Sequence, residues 1–299
     1  MPNVTAIIPL YNKRAEIARA IGSVLAQTHP DVTVLVVDDA STDGSDEIVR
    51  QHGNPRVVLV RQEHRGAAAA RNRGIKEART DLIAFLDADD EWKPDFLKTT
   101  LALAERYPDA GLWATAFEEV SEDGRRRERL GFRRVPARPE GGLIDDFFLS
   151  MLKFPPVCSS NVLGRKSIFE KTGGFPEAEV LAEDWDTWTR IALRYKIAFS
   201  PTIEMIYHAD ASNRAEKSQR FHGVETTLAR TLRAALAENR FATTKRRSVE
   251  LFLGKHLLKI AKHCLEAGHT ARTRELIWEA GALHAFPAKR FKLWLNTLA

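Results

Sequence analysis

The chain has 299 residues, enough for one large or two modest domains, and its 44% hydrophobic and 28% charged residues are typical of globular proteins. It lacks the run of about 18 apolar residues that a membrane-spanning helix needs, and its first residues lack the pattern of a signal peptide. Its two cysteines, Cys158 and Cys264, match no metal-ligand spacing, so we expect a reduced protein in the cytoplasm.

The net charge of +5 is unevenly distributed along the chain. Residues 216–299 contain 16 Lys and Arg against 7 Asp and Glu, whereas the remainder contains 29 against 33. A basic C-terminal part on a mildly acidic body predicts an anionic partner such as a membrane surface. We expect no nucleic-acid partner.

The first 90 residues alternate between two patterns. Apolar runs predict strands at residues 4–10, 33–37, 56–60 and 82–86. Helical spacing of apolar residues predicts helices at 15–27, 46–52 and 66–78. Strands that alternate with helices at this spacing predict a parallel sheet with crossover helices.

The pattern is less regular from residue 94 to residue 210. We predict helices at 94–106, 144–152, 165–172 and 183–195, and strands at 110–117, 159–163 and 203–207. A turn at residues 121–124 predicts a polar hairpin over 118–130 at the margin of the sheet. The basic, proline-bearing segment 125–139 is expected to be mobile.

Only helical spacing follows residue 215, with helices predicted at 224–238, 243–267, 270–282 and 287–298. The chain is therefore predicted to consist of an α/β domain at 1–215 and a basic helical domain at 216–299. Residues 286–295 mix aromatic and cationic side chains as interfacial helices do. The alternative is that the helices pack on the α/β domain or form a homodimer surface.

The strand at 82–86 is followed by three acids, Asp87, Asp89 and Asp90. A buried strand cannot hold unpaired charge, so these acids lie at its carboxyl end, where open α/β sheets bind ligands. Asp87 and Asp89 share a face if the strand geometry continues, and their hard oxygens suit Mg²⁺ or Mn²⁺ bound with a diphosphate. The alternative is solvated or helix-capping acids, the role we favour for Asp90.

Two further strands end in polar side chains at the same predicted edge. The second strand ends at Asp38 and Asp39, and the first at Pro9-Leu10-Tyr11-Asn12. This edge offers an aromatic ring, carboxylates and a metal site, which a nucleoside diphosphate needs. The sequence has no Gly-x-Gly-x-x-Gly after the first strand and no Gly-Lys-Ser/Thr loop, which disfavours dinucleotide cofactors and P-loop hydrolysis.

Five segments resemble glycosyltransferase family 2 in order and spacing. They are Val-Thr-Ala-Ile-Ile-Pro-Leu-Tyr-Asn at 4–12, Val-Val-Asp-Asp-Ala-Ser-Thr-Asp-Gly-Ser at 36–45, Gly-Ala-Ala-Ala-Ala-Arg-Asn-Arg-Gly-Ile at 66–75, Phe-Leu-Asp-Ala-Asp-Asp at 85–90 and Glu-Asp-Trp-Asp at 183–186. The resemblance covers about residues 4–210. It implies a GT-A fold, a nucleotide-sugar donor, a divalent metal (Mn²⁺ or Mg²⁺) and transfer with inversion at the sugar carbon.

The resemblance also implies roles in binding the donor nucleotide. Asp39 resembles the residue that hydrogen-bonds the base, with Pro9 and Tyr11 lining its pocket. Arg71 resembles a nucleotide contact. The alternatives are a turn acid at Asp39 and a surface arginine, paired with an acid, at Arg71.

Four more positions correspond to the diphosphate end of the donor. Asp87 resembles the first acid of the family's Asp-x-Asp motif, near the ribose, with Ala88 beside it in the donor site. Asp89 resembles the direct metal ligand. His208, at the end of the last predicted strand, resembles a histidine that contacts metal or diphosphate; the alternative is a surface histidine.

Asp184 resembles the catalytic base, which takes the proton of the acceptor hydroxyl as that oxygen attacks. Glu183 is adjacent and points about 100° away on a helix, so only one of the two can face the site, and we favour Asp184. Acids in a first helical turn are also favoured by the helix dipole, which is the alternative for Asp186. Trp185 and Trp188 are expected to pack in the core rather than stack on an acceptor sugar.

The resemblance implies a transferase that builds a cell-surface glycan or glycolipid from a nucleotide sugar, with UDP as the default nucleotide. There is no Gln-x-x-Arg-Trp motif, so we expect a single addition to a glycan or lipid-linked acceptor rather than processive synthesis. One alternative is a sugar nucleotidyltransferase, but its glycine-rich loop is absent from residues 11–14. Another is a binding module, which would need neither Asp89 nor Asp184.

Overall fold

One mixed sheet forms the centre of the molecule. The computed structural model describes residues 2–121, 123–128, 134–177, 183–211, 225–239, 241 and 245–297. Within these ranges the strands are β1 Val4–Leu10, β2 Val32–Asp38, β3 Val57–Arg61, β4 Leu82–Phe85, β5 Glu91–Trp92, β6 Leu112–Val120, β7 Arg126–Glu128, β8 Gly142–Leu143, β9 Val162–Arg165 and β10 Ile197–His208.

Helices cover the sheet and continue beyond it. The described helices are α1 Ile17–Leu25, α2 Ser45–Gln51, α3 Ala67–Glu77, α4 Phe96–Arg106, α5 Phe147–Ser150, α6 Lys166–Thr172, α7 Glu183–Ala192, α8 Thr227–Glu238, α9 Arg246–Glu266, α10 Thr270–Ala282 and α11 Pro287–Leu295. A 3₁₀ turn, Ser159–Asn161, precedes β9. None of the described helices is long and apolar enough to span a bilayer.

The strand order is β3-β2-β1-β4-β9-β6-β10-β5, with β7 beside β6 and β8 beside β10. Strands β1 to β4 are mutually parallel, and β10 is parallel to β6. Strand β9 runs antiparallel to both β4 and β6. The predicted mostly parallel sheet is therefore confirmed, with a reversed strand in its middle that the local pattern did not reveal.

The strand order predicts a ligand site beside β1, because the strands that follow in sequence are added on opposite sides of it. Strand β1 has β2 on one side and β4 on the other, and ligands bind at such switch points, outside the carboxyl ends of the strands. Leu10 at the end of β1 is level with Asp38 at the end of β2. Strand β4 ends in Phe85, opposite Ile7. The loops after these three strands therefore meet at one edge.

The strands have continuous apolar sequences because both faces of the sheet are covered. All seven residues of β1 are buried. Ile7 and Phe85 belong to the core on one face, whereas Ile8 and Ala84 belong to the core on the other. This distribution follows from the two-residue period of a strand.

The predicted hairpin is present, with Val120 of β6 opposite Arg126 of β7. The segment expected to be mobile thus begins with a paired strand, Arg126–Glu128. Residues 129–133, in the middle of that segment, lie outside the described residues.

Helices α8 to α11 agree with the predicted all-helical C-terminal part. The predicted boundary at residue 215 lies outside the described residues, and the division into two domains stays a prediction. Side chains of α7, including Trp188 and Ile191, share one hydrophobic core with Leu232 of α8 and Phe252 of α9. The C-terminal helices are thus packed directly on the element that carries the predicted base.

Candidate active site

The carboxylate of Asp39 joins the end of β2 to the loop between β3 and α3. The residue is 2% exposed. Its Oδ1 accepts hydrogen bonds from the Arg65 backbone N–H at 2.9 Å and from Gln62 Nε2 at 2.7 Å. Its Oδ2 accepts from the Gly66 N–H at 2.8 Å, where a φ of +89° favours glycine. Asp39 is therefore the organising acceptor of this loop.

An aromatic surface lies beside Asp39. The Tyr11 ring, 39% exposed, stacks on His64 with 4.2 Å between ring centroids. His64 Nδ1 lies 2.9 Å from Asp39 Oδ2. Pro9 is buried in β1 opposite Val37, two residues before Tyr11. His64 was not predicted, although its place two residues before Gly66, the N-cap of the alanine-rich helix α3, was a usable signal.

Arg71 on α3 connects the end of β4 with the start of α7. Its Nη2 donates to Asp87 Oδ1 at 2.6 Å, and its Nη1 donates to Glu183 Oε1 at 2.8 Å. The guanidinium also lies over the Phe175 ring at 5.3 Å. Burial alone lowers the pKa of Arg71, but Asp87 and Glu183 raise it above its ordinary value. Arg71 is therefore a fixed cation, 3% exposed, that brings the predicted donor and base segments together.

Asp184 lies in the same cluster and is half-buried. Burial and the neighbouring Glu183 raise the pKa of its carboxyl to about 7, against a lowering effect of Arg71. Its Oδ1 accepts a hydrogen bond from the Trp185 N–H at 2.8 Å. A carboxylate that titrates near neutrality can accept a proton during a reaction.

The predicted metal ligand Asp89 forms an ion pair with Lys13. Lys13 Nζ lies 2.8 Å from Asp89 Oδ2, and both side chains are 10% exposed. Arg19 Nη2 donates to the Asp89 carbonyl at 2.7 Å. Lys13 was not predicted; its only local signal was a basic residue directly after the Tyr-Asn that ends the first motif.

Asp90 has a structural role, as expected, but does not cap α4. Its Oδ2 accepts from Ser160 Oγ at 2.6 Å and its Oδ1 from the His208 N–H at 3.2 Å. The N-cap of α4 is Asp95. Asp90 instead ties the loop after β4 to the turn before β9 and to the end of β10.

His208 lies close to this loop through that backbone contact. Its Nε2 is 3.3 Å from Glu91 Oε2 and its Nδ1 is 3.3 Å from Asp210 Oδ1. The side chain is 9% exposed. Ala88, between Asp87 and Asp89, is 3% exposed.

The chemistry of these groups fits a metal ion that arrives with a diphosphate. Among the described residues, no cluster of three His, Cys, Asp or Glu side chains can hold a metal ion by itself. Mg²⁺ in phosphate-binding enzymes is commonly held by one or two carboxylates together with substrate oxygens. Asp89 can supply one such carboxylate, and the Lys13 ammonium balances its charge in the structure as described.

Comparisons of sequence identify relatives of this chain. A model of the family named glycosyl transferase family 2 matches residues 5–173. The putative teichuronic acid biosynthesis glycosyltransferase TuaG of Bacillus subtilis is 39% identical over 127 residues, which cover 41% of this chain and 50% of that protein. The succinoglycan biosynthesis protein ExoO of Rhizobium meliloti is 33% identical over 224 residues, or 70% of this chain and 61% of that protein. The match thus spans between half and two thirds of the length of these relatives.

Solved structures share the architecture over nearly the whole chain. S. aureus TarS 1-349 in complex with UDP-GlcNAc superposes with a TM-score of 0.69 at 18% identity, covering 98% of this chain and 89% of that one. The mannosyltransferase PcManGT from Pyrobaculum calidifontis in complex with GDP-Man and Mn²⁺ gives 0.59 at 23% identity, covering 99% and 85%. At these identities the likeness shows the fold.

Proposed function

Because this chain belongs to glycosyl transferase family 2 and has the GT-A fold, we propose that it transfers one sugar per event from a nucleotide-sugar donor to a glycan or lipid-linked acceptor. We further propose inversion at the sugar carbon and a role in cell-surface polysaccharide or glycolipid synthesis. The names of TuaG and ExoO support the second point. UDP-sugars are the first donors to test, because TarS binds UDP-GlcNAc.

One observation supports this proposal most: the Arg71 cluster brings a donor acid and a candidate base together. Asp87 and Glu183 share the Arg71 guanidinium, and Asp184 lies within electrostatic range of both Arg71 and Asp87. A transferase must hold the donor sugar and the acceptor hydroxyl side by side. The Arg71 cluster joins the proposed donor-binding segment to the segment of the proposed base, so it can hold the two reactants together.

The proposed donor site runs along the carboxyl ends of β1, β2 and β4. Tyr11 and Pro9 form a surface for the base, and Asp39 offers it a buried carboxylate whose position is held by the loop after β3. Asp87 and Ala88 follow at the ribose. Arg71 acts on the nucleotide indirectly, because its hydrogen bond of 2.6 Å holds the Asp87 carboxylate in position.

Proton transfer is assigned to Asp184. In an inverting reaction the acceptor hydroxyl attacks the sugar carbon as its proton passes to a base, and the nucleoside diphosphate leaves from the opposite side. With the pKa of Asp184 raised to about 7, its ionised form is abundant at neutral pH and still basic enough to take that proton. Glu183 is engaged with Arg71 and is therefore the weaker candidate.

A divalent ion, Mn²⁺ or Mg²⁺, is proposed at Asp89, with His208 as the second protein group. When bound with the donor, such an ion neutralises the charge that develops on the leaving diphosphate. Lys13 would then exchange its pairing with Asp89 for the phosphate oxygens. PcManGT holds Mn²⁺ together with GDP-Man, which supports this part of the proposal.

The location and assembly of the protein are part of the same proposal. We place it in the cytoplasm, in peripheral contact with the inner face of the membrane through the basic C-terminal helices. The exposed aromatic residues of α10 and α11 support that contact, since Trp278 and Phe291 are 78% and 62% exposed. A homodimer is the alternative use of the same surface.

The decisive experiment offers the protein a panel of UDP- and GDP-sugars with Mn²⁺ and an acceptor extract, and follows the release of nucleoside diphosphate. Release that stops on chelation of the metal is expected. Pyrophosphate as the product would instead indicate a nucleotidyltransferase, and binding without any release would indicate a binding module.

Asp184→Asn should keep donor affinity while losing at least about 100-fold in transfer rate, the usual contribution of a positioned base. Asp109→Asn, which removes an exposed carboxylate before β6, is the matched control and should behave as wild type. Transfer by Asp184→Asn at near wild-type rate would rule out Asp184 as the base.

A further inference from the structure

A group of lysines from the C-terminal helices lies next to the proposed base. Lys255 and Lys259 are one turn apart on α9 and therefore share a face. Their ammonium groups lie 5.4 and 5.3 Å from the centre of the Trp185 ring. Trp185 directly follows Asp184 in α7, and its backbone donates a hydrogen bond to the Asp184 carboxylate. The lysines thus lie beside the side chain of the residue that follows the proposed base.

Among the residues that the structure describes, these cations lack a carboxylate partner. Lys255 Nζ donates to the Met151 carbonyl at 2.9 Å, but within the described residues no carboxylate lies in ion-pair range of Lys255, Lys259 or Lys289. Other lysines of α9 differ, since Lys262 pairs with Glu266 at 3.5 Å. Lys255 and Lys259 are thus like charges four residues apart on one helix face, an arrangement that favours a bound anion.

The pKa of Lys255 also indicates an excess of positive charge at this position. Burial lowers the pKa of Lys255 to about 8, and the nearby charges of Lys259 and Lys289 contribute to this lowering. Lys289 belongs to α11, so a positive charge from a second helix adds to this repulsion. Mutual repulsion of this kind is relieved by a bound anion that shares its charge among the ammonium groups.

We propose that Lys255 and Lys259 form a subsite for a phosphate group of the acceptor, placed so that an acceptor held there presents its hydroxyl to Asp184. This inference rests on the proposed transferase function. Lysine ammonium groups bind phosphates as compact point charges, and the Trp185 ring beside both ammonium groups gives the subsite an apolar wall. Adjacent residues of α7 point about 100° apart, so the subsite lies beside the reacting hydroxyl rather than on it. The acceptor class is therefore a phosphorylated glycan or a sugar linked to a lipid diphosphate.

Direct binding tests the subsite without any transfer reaction. Inorganic pyrophosphate, geranyl diphosphate and geraniol are titrated calorimetrically into the full-length protein, with the donor site saturated by a nucleoside diphosphate. Lys255→Gln/Lys259→Gln should weaken binding of the phosphorylated probes by roughly tenfold per lysine. Lys259→Gln alone, an exposed change that leaves the Lys255 hydrogen bond in place, should give part of that loss. Lys262→Gln is the matched control on the same helix and should bind as wild type.

Binding of both phosphorylated probes assigns the subsite to phosphate as such, and a strong preference for geranyl diphosphate assigns it to a lipid-linked acceptor; either result supports the proposal. Equal affinity for geraniol and geranyl diphosphate, or wild-type affinity in the double variant, would overturn it. Nucleotide binding by the wild type is measured separately. Its absence would count against the transferase function, whereas the phosphate subsite would still be decided by its own titration.

Discussion

At the scale of single residues, the single positive charge of an arginine is too small to neutralise the three carboxylates around it. Arg71 donates to Asp87 and Glu183, and Asp184 is left with a carboxyl whose pKa is raised to about 7 by burial and by Glu183. This imbalance turns an ordinary aspartate into a group suited to proton transfer at neutral pH.

The pH dependence follows from this arrangement. Since the base must be ionised to act, kcat/KM is expected to rise with pH up to about 7 and to level off above it. Glu183→Gln removes the negative neighbour and frees Arg71 to act on Asp184, so the midpoint should move to lower pH. Rate profiles from pH 5 to 9 measure this. A flat profile, or a midpoint that Glu183→Gln does not lower, would contradict the assignment.

The same pKa has a consequence for stability. The folded state holds the Asp184 proton more tightly than the unfolded chain, so stability is expected to fall as pH rises from about 4 to 7. Asp184→Asn cannot ionise and should therefore be more stable than wild type at pH 8, by about 0.5–2 kcal/mol. Thermal unfolding of both proteins at pH 5 and pH 8 provides the comparison, with a smaller difference expected at pH 5 than at pH 8.

At the scale of elements, the close approach of α3 to β1 determines where Arg71 lies. Gly74, one turn after Arg71 on the same helix, leaves no room for a side chain: an added Cβ would be 2.3 Å from Ile7 Cγ2. Ile7 is fully buried in β1. Because the glycine has no side chain, α3 packs close to the sheet. At that distance Arg71 reaches Asp87, which follows the end of β4.

Two glycine substitutions separate helix propensity from packing. Alanine normally stabilises a helix by up to about 1 kcal/mol relative to glycine, and Gly22→Ala in α1 should show that gain because no atom lies within 4 Å of the added Cβ. Gly74→Ala should instead destabilise by about 1–3 kcal/mol, since overpacking against Ile7 exceeds the propensity gain. Urea unfolding midpoints distinguish the two, and stabilisation by Gly74→Ala would show that α3 can shift freely.

At the scale of the whole molecule, the C-terminal helices are joined to the sheet by a shared core and present a different surface outward. Leu232 and Phe252 pack in the same core as Trp188, and Thr231 Oγ1 donates to Asp186 at 2.6 Å. On the outside, α10 and α11 line a groove of about 650 Å³ with Trp278, Phe291 and Trp294. Arg274 and Arg290 lie in the same groove.

An apolar groove with cationic neighbours suits the anionic surface of a membrane. Co-sedimentation with vesicles containing an anionic lipid is expected, and Trp278→Ser/Phe291→Ser should reduce it several-fold. Val58→Thr, at an exposed apolar position on β3, is the control and should leave binding unchanged. Equal binding to neutral vesicles, or a stable dimer whose formation depends on these two aromatic residues, would contradict the membrane role.

Much of the fold was predictable because its signals are local. The four parallel strands and their helices follow from apolar periods that extend over a few residues, and β1 was predicted with its observed bounds, Val4–Leu10. The acids at the ends of β2 and β4 were also predictable, since charge cannot remain inside a buried strand. The family was evident from five short segments in order.

The sequence by itself therefore determined the family, the parallel half of the sheet and the edge where the polar strand ends meet, because these depend on neighbours in the chain. Only the tertiary structure decided the reversal of β9, the pairing of Lys13 with Asp89, the junction of Arg71 with Glu183, and the lysines beside Trp185. Each of these features joins residues far apart in sequence, and no local pattern indicates which charged residues will form a pair. Burial and the path of the chain determine these contacts. They also determine the raised pKa of Asp184, on which the proposed chemistry depends.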